Sequence, residues 1–209
     1  MDLNNTIRQI ILSAPPLLFA LTFHELAHGY TAWKLGDPTA KEEGRLTMNP
    51  LKHLDPFGVL AFLIMRIGWA KPVPVNPRYF RNPQQGMLLT ALAGPVANLL
   101  LAVISAILVK LLEVIPVSSE LMYNLIKPMY DMMVLSVWIN VMLAVFNLLP
   151  IPPLDGSKVL MGVLPPEQAT GYARLEPYGF IILLALFYMG IISKMIMPIV
   201  DFAFGMMVG

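Results

Sequence analysis

Four long apolar stretches, at about 10–33, 87–112, 129–149 and 178–200, constrain this chain more than any other feature. Each, as a helix, is long enough to cross a hydrocarbon core of about 30 Å. Backbone polar groups find no water there, so a spanning segment must bond within itself, and a helix does. The sequence therefore predicts an all-α polytopic membrane protein, lying in a lipid bilayer as one domain over 1–209. Composition agrees, with 57% hydrophobic and 13% charged residues where a soluble domain carries about 25% charged. A net charge of +1 and the lack of a basic run interleaved with aromatics give no reason to expect a nucleic-acid partner. With no cysteine, thiolate metal ligands are excluded.

A fifth apolar run, 57–70, carries Arg66. As a helix it reaches only about 21 Å, short of a full crossing. It reads as re-entrant or interfacial, with a short true span as the alternative. The stretch 68–77, Gly-Trp-Ala-Lys-Pro-Val-Pro-Val-Asn-Pro, cannot be helical, because prolines at alternate positions force extended backbone. The edge carrying Pro72 and Pro74 lacks N–H donors. The edge carrying Lys71, Val73 and Val75 keeps them and is expected to bind substrate as an added strand; a rigid connector is the other reading.

If 57–70 is re-entrant, Lys34, Lys41, Arg45, Lys52, Lys71, Arg78, Arg81, Lys158 and Arg174 share one side of the membrane. Arg8, Lys110, Lys127 and Lys194 fall mainly on the other. The positive-inside rule then makes the first side cytoplasmic.

Inside the first stretch lies His24-Glu25-Leu26-Ala27-His28, an HExxH pattern. Histidines four apart share a helix face and can reach one metal ion, with the glutamate beside a metal-bound water. Zinc suits two imidazoles, a carboxylate and an open water position. In a soluble helix this pattern is a weak signal. In a membrane each ionisable group costs on the order of 2.5–3.5 kcal/mol on insertion scales, and a bound cation offsets that cost. For the third ligand, His53 lies in a polar loop and Asp131 near the start of the third stretch. Asp155 follows a proline-rich break that can fold back into the protein. Spacing alone leaves Asp155 nearly balanced between a ligand and an Asp-Gly turn.

The chain resembles the site-2 protease family of intramembrane zinc metalloproteases, closest to the short prokaryotic group without an appended PDZ or CBS domain. The resemblance rests on HExxH in an apolar helix and on Ala93-Gly94-Pro95-Val96-Ala97-Asn98, which is similar to the family's AGPxxN segment. It rests also on Asn147-Leu148-Leu149-Pro150 with Asp155-Gly156 eight residues after the Asn, and on the 68–77 loop. It implies that His24, His28 and Asp155 bind zinc, that Glu25 is the catalytic carboxylate and that Asn147 holds the scissile carbonyl or its oxyanion. Asn98 would line the site, touching substrate, or brace a partner helix. Pro-Leu-Asp-Gly stands where many members have Asn-Pro-Asp-Gly, which leaves Asp155 intact. The implied partner is a single-span membrane protein or peptide, cleaved in the inner membrane of a prokaryote. Two rivals remain: a membrane metal transporter, which needs ligands at successive depths, and a non-catalytic zinc-binding scaffold, which needs no Glu25.

Overall fold

The computed structural model describes residues 3–65 and 68–209. Arg66, expected inside the fifth apolar run, lies outside the described residues.

Helix α1 (Leu3–Lys34) contains the HExxH segment. A polar loop with the short α2 (Thr39–Glu42) leads to α3 (Pro56–Met65). At ten residues α3 is about 15 Å long and cannot cross a bilayer. Both ends of this excursion are tied together, since Leu54 and Ala70 form an antiparallel bridge and Lys71 N–H donates to His53 O at 2.8 Å. The chain between them leaves and returns at one level. A ten-residue helix tied in this way fits the re-entrant or interfacial reading.

Beyond the bridge the chain runs extended to Asn76. Buried Arg45 donates to Lys71 O (2.8 Å) and Pro72 O (3.2 Å), and buried Asp37 accepts from Asn76 N–H at 2.7 Å. We call residues 70–76 the strap. It is extended because of its prolines, and it is held by side chains rather than by a sheet; the described residues contain no strand beyond the single bridge.

Helix α4 (Pro83–Glu113) starts at a proline behind an Asn82 cap. It continues unbroken through Ala93-Gly94-Pro95. A proline inside a membrane helix is tolerated when neighbouring groups satisfy the loosened turn. Along one face of α4 run Gly86, Thr90, Gly94, Asn98, Ala102 and Ala106, all buried. Small residues at this spacing let other helices approach closely, which drives association where lipid removes the hydrophobic incentive. Accordingly α4 packs on both α1 and α5 (Glu120–Asn147), and α5 also packs on α1.

After α5 the chain turns through Pro150–Leu154 into α6 (Asp155–Val163), then α7 (Pro166–Ala173). The expected last span, 178–200, is instead two helices, α8 (Gly179–Tyr188) and α9 (Ile191–Val208). Gly190, at φ +70°, separates them. Among the described residues, four helices are long and apolar enough to span: Ile7–Lys34, Pro83–Glu113, Glu120–Asn147 and Ile191–Val208. Helix α9 closes the bundle through Val200, which packs with Ala102, Ala106, Val137 and Val141. The protein is an all-helical polytopic membrane protein.

Candidate active site

His24 and His28 lie one turn apart on the buried face of α1, towards α4. The turn 150–154 returns the chain so that α6 begins with Asp155 against them. That return needs Gly156, because a Cβ there would stand 2.2 Å from Leu148 O. His24 Nε2 lies 3.1 Å and His28 Nε2 3.2 Å from Asp155 Oδ2, and the two Nε2 atoms are 3.0 Å apart. Two sequence-distant stretches thus meet, and His24, His28 and Asp155 are all buried.

The histidine tautomers follow from what the other ring nitrogens touch. His28 Nδ1 lies 2.7 Å from the backbone oxygen Thr90 O. A carbonyl only accepts, so Nδ1 carries the proton. His24 Nδ1 lies 2.6 Å from Asn98 Oδ1, and this amide is oriented in turn. Asn98 Nδ2 donates to Ala20 O (3.2 Å) and to Asn140 Oδ1 (2.9 Å), while Asn140 Nδ2 donates to Ser136 O (2.9 Å). Both Ala20 O and Ser136 O are backbone acceptors, so neither amide can be turned over. His24 Nδ1 is therefore a donor as well.

Neutral rings so held point two Nε2 lone pairs at each other and at a carboxylate. A cation must stand among these atoms. A proton on one ring serves a single pair, whereas a metal ion serves all three donors at once. Donors around a tetrahedral zinc with bonds of about 2.0–2.1 Å are ~3.3 Å apart, close to the separations here. The residues present fit a zinc ion.

Helix α4 builds the rear of this site. A Cβ on Gly94 would fall 2.4 Å from His28 Nε2 and 2.6 Å from His24 Cε1, so only glycine leaves room for both rings. Pro95 lacks the N–H that would close on Ala91 O and so loosens the ladder beside Thr90. Asn98, one turn on, takes His24. The Ala-Gly-Pro-x-x-Asn pattern is thus a complete back wall for two imidazoles.

Glu25 reaches the strap. Its Oε2 accepts from Val73 N–H at 2.9 Å. Asn147 ends α5 half-buried and donates through Nδ2 to Leu143 O at 3.0 Å.

Two expectations need correction. Asn98 does not offer itself to substrate: it is fully buried, and its oxygen and nitrogen are engaged with His24, Ala20 and Asn140. The edge of Lys71, Val73 and Val75 is not an open ladder. Lys71 N–H is taken by His53 O and Val73 N–H by Glu25, which leaves Val73 C=O and Val75 N–H unpaired among the described residues. The edge faces α1, because Val73 N–H bonds Glu25 there. His53 is buried with Nε2 on Thr47 O (2.9 Å), and Asp131 pairs with Lys127 on α5; the described metal-type cluster contains neither. Thr90 and Asn140 went unremarked in the sequence, although Asn140 gave the available signal of a polar residue inside an apolar helix.

Held in a helical membrane bundle, this arrangement defines a membrane protein built around a metal-type donor set beside a carboxylate. The chain belongs to peptidase family M50, a zinc-dependent family whose model matches residues 14–190, and is a metalloprotease. It is 42% identical to "Putative zinc metalloprotease YwhC" of Bacillus subtilis (strain 168), covering 88% of this chain and 84% of the relative. It is 31% identical to "Putative zinc metalloprotease Rip2" of Mycolicibacterium smegmatis, over 81% of this chain and 63% of that protein. With "Putative zinc metalloprotease MJ0611" of Methanocaldococcus jannaschii it shares 31% identity, over 75% of this chain and 73% of the relative. No solved structure matches it.

Proposed function

We propose that this chain is an intramembrane zinc metalloprotease that hydrolyses peptide bonds of single-span membrane proteins in the inner membrane of a prokaryotic cell. One observation carries the reading. Three buried donors from α1 and α6 converge with both histidine Nδ1 atoms locked as donors, and the carboxylate of Glu25 stands on the neighbouring residue.

His24, His28 and Asp155 would hold a zinc ion, which when bound would supply Lewis-acid activation of a water and of the scissile carbonyl. Glu25 accepts the proton of the attacking water and passes it to the leaving amine as the C–N bond breaks. Val73 N–H holds Oε2 of Glu25 and leaves its second oxygen for this exchange. Asn147 keeps a second amide N–H beyond its bond to Leu143 O, suited to the carbonyl oxygen as negative charge grows there. Asn98 acts behind His24. Substrate, unwound locally, pairs with the strap through Val73 C=O and Val75 N–H. The basic loops lie in the cytoplasm.

Among the described residues one metal-type cluster forms, His24 with His28 and Asp155, rather than a ladder through the bilayer, which favours catalysis over transport. The test is detergent-purified protein analysed for bound metal and incubated with a panel of single-span substrates. Glu25→Gln should keep its zinc and lose cleavage by about 10²–10⁴-fold. Cleavage by Glu25→Gln at the normal rate would overturn the role of Glu25. Zinc flux into liposomes that survives this change would favour a transporter.

A further inference from the structure

We infer that Asn140 on α5 is a positioning residue for the metal centre, setting the proton position on His24 through Asn98. The inference rests on the reading of His24, His28 and Asp155 as zinc ligands.

Asn140 touches none of the three. It is 1% exposed, in the middle of an apolar helix, where an amide is costly unless fully bonded. Its nitrogen donates to Ser136 O at 2.9 Å, with a longer contact to Ser136 Oγ at 3.3 Å. Ser136 Oγ in turn pairs with Ser105 Oγ on α4 at 2.8 Å. The backbone carbonyl of Ser136 cannot donate, so Asn140 must present its oxygen towards α4. Asn98 must then present nitrogen to Asn140 and oxygen to His24. His24 must carry its proton on Nδ1, and its Nε2 lone pair is turned to the metal. Every hydrogen bond runs in one direction, from imidazole to amide to amide to carbonyl.

Among the described residues, one other contact constrains Asn98, the 3.2 Å bond to Ala20 O. Without Asn140 that single bond would hold the amide. A turned-over Asn98 gives His24 a donor where it needs an acceptor. The ring then moves its proton to Nε2, a tautomer that cannot ligate. The helix carrying Asn140 also carries Asn147 one heptad later, so α5 serves the site at two levels: amide orientation in its middle and the carbonyl-facing amide at its end.

The experiment compares wild type, Asn140→Leu, Asn140→Asp and Ser136→Ala as full-length protein in detergent. Zinc affinity is read by chelator competition. The histidine tautomers are read from ¹⁵N spectra of histidine-labelled, zinc-stripped protein, in which only three histidines contribute. Asn140→Leu removes the acceptor and should weaken zinc binding about tenfold, the lower end of the effect of outer-shell partners, with a second His24 tautomer appearing. Asn140→Asp, charged or protonated, still offers an oxygen to Asn98 and should keep affinity within about threefold of wild type. Ser136→Ala removes the hydroxyl pair but not the carbonyl that orients Asn140, and should leave affinity unchanged.

Equal zinc affinity in Asn140→Leu and wild type would overturn the inference. Equal losses in Ser136→Ala and Asn140→Leu would do the same, because they would mark general damage to the helix pair. Should Asn140→Leu not fold, the wild-type spectrum still decides: a His24 protonated on Nε2 contradicts the polarity of the chain. If wild type binds no zinc at all, it is the proposed function that fails.

Discussion

His24 and Glu25 are neighbours in sequence, yet they are held in opposite ways. His24 is fixed from behind by helices: Asn98, Asn140, Ala20 and Ser136 form a buried set of hydrogen bonds in which every named amide is satisfied. Glu25 is fixed from the front by one backbone N–H from an extended strap. The strap depends on Arg45, Asp37 and the His53 carbonyl to stay in place. Metal ligands need a single geometry, because a small displacement forfeits the ion. A general base must move with its proton, and one bond from an irregular segment allows that. The bundle builds the permanent half of the site and the strap builds the adjustable half.

The sharpest way to break this division is at the back wall. Gly94→Ala places a methyl where the imidazoles lie and should lower zinc affinity at least 100-fold, beyond the usual effect of an outer-shell change, with cleavage lost in proportion. Chelator competition measures this directly. A Gly94→Ala enzyme with normal zinc affinity would mean that the rings do not sit against α4.

A smaller effect is expected at the front. Asp37→Ala frees Asn76 N–H and loosens the strap at one end, while the metal ligands stay untouched. Cleavage should fall about tenfold, as expected for a misplaced positioning element, and zinc affinity should not change. If Asp37→Ala also loses zinc, strap and bundle are a single unit and the comparison fails. The smallest effect belongs to Val75→Pro, which deletes the unpaired N–H while sparing the Val73 bond to Glu25. Loss of one strand-pairing bond of about 1 kcal/mol should raise KM roughly fivefold with kcat nearly constant. A fall in kcat alone would argue that Val75 orders the strap and does not bind substrate.

These contrasts also explain how much was legible beforehand. Three of the four spans were readable because lipid leaves so few options for a long apolar run. The His24–Glu25–His28 group was readable because a helix fixes which residues share a face. Asp155 was nearly balanced on spacing, since nothing local shows that the 150–154 turn brings α6 back against α1. The division of 178–200 at Gly190 was missed because a glycine within an apolar helix is common, and only its left-handed backbone marks a break. The strap edge was misread for a similar reason. Alternating prolines reveal which edge has donors, while the groups that claim them, the Glu25 carboxylate and the His53 carbonyl, come from elsewhere in the chain.

By itself, then, the sequence determined the membrane habit, the helical class and the local metal-ligand pair, all consequences of hydropathy and helical period acting over short stretches. Tertiary structure alone decided that Asp155 closes the cluster, that Asn98 serves a histidine instead of a substrate, and that Asn140 orients Asn98. Those depend on which carbonyl or amide faces which across helix–helix contacts, and the direction of a hydrogen bond is not written in the order of residues along any single helix.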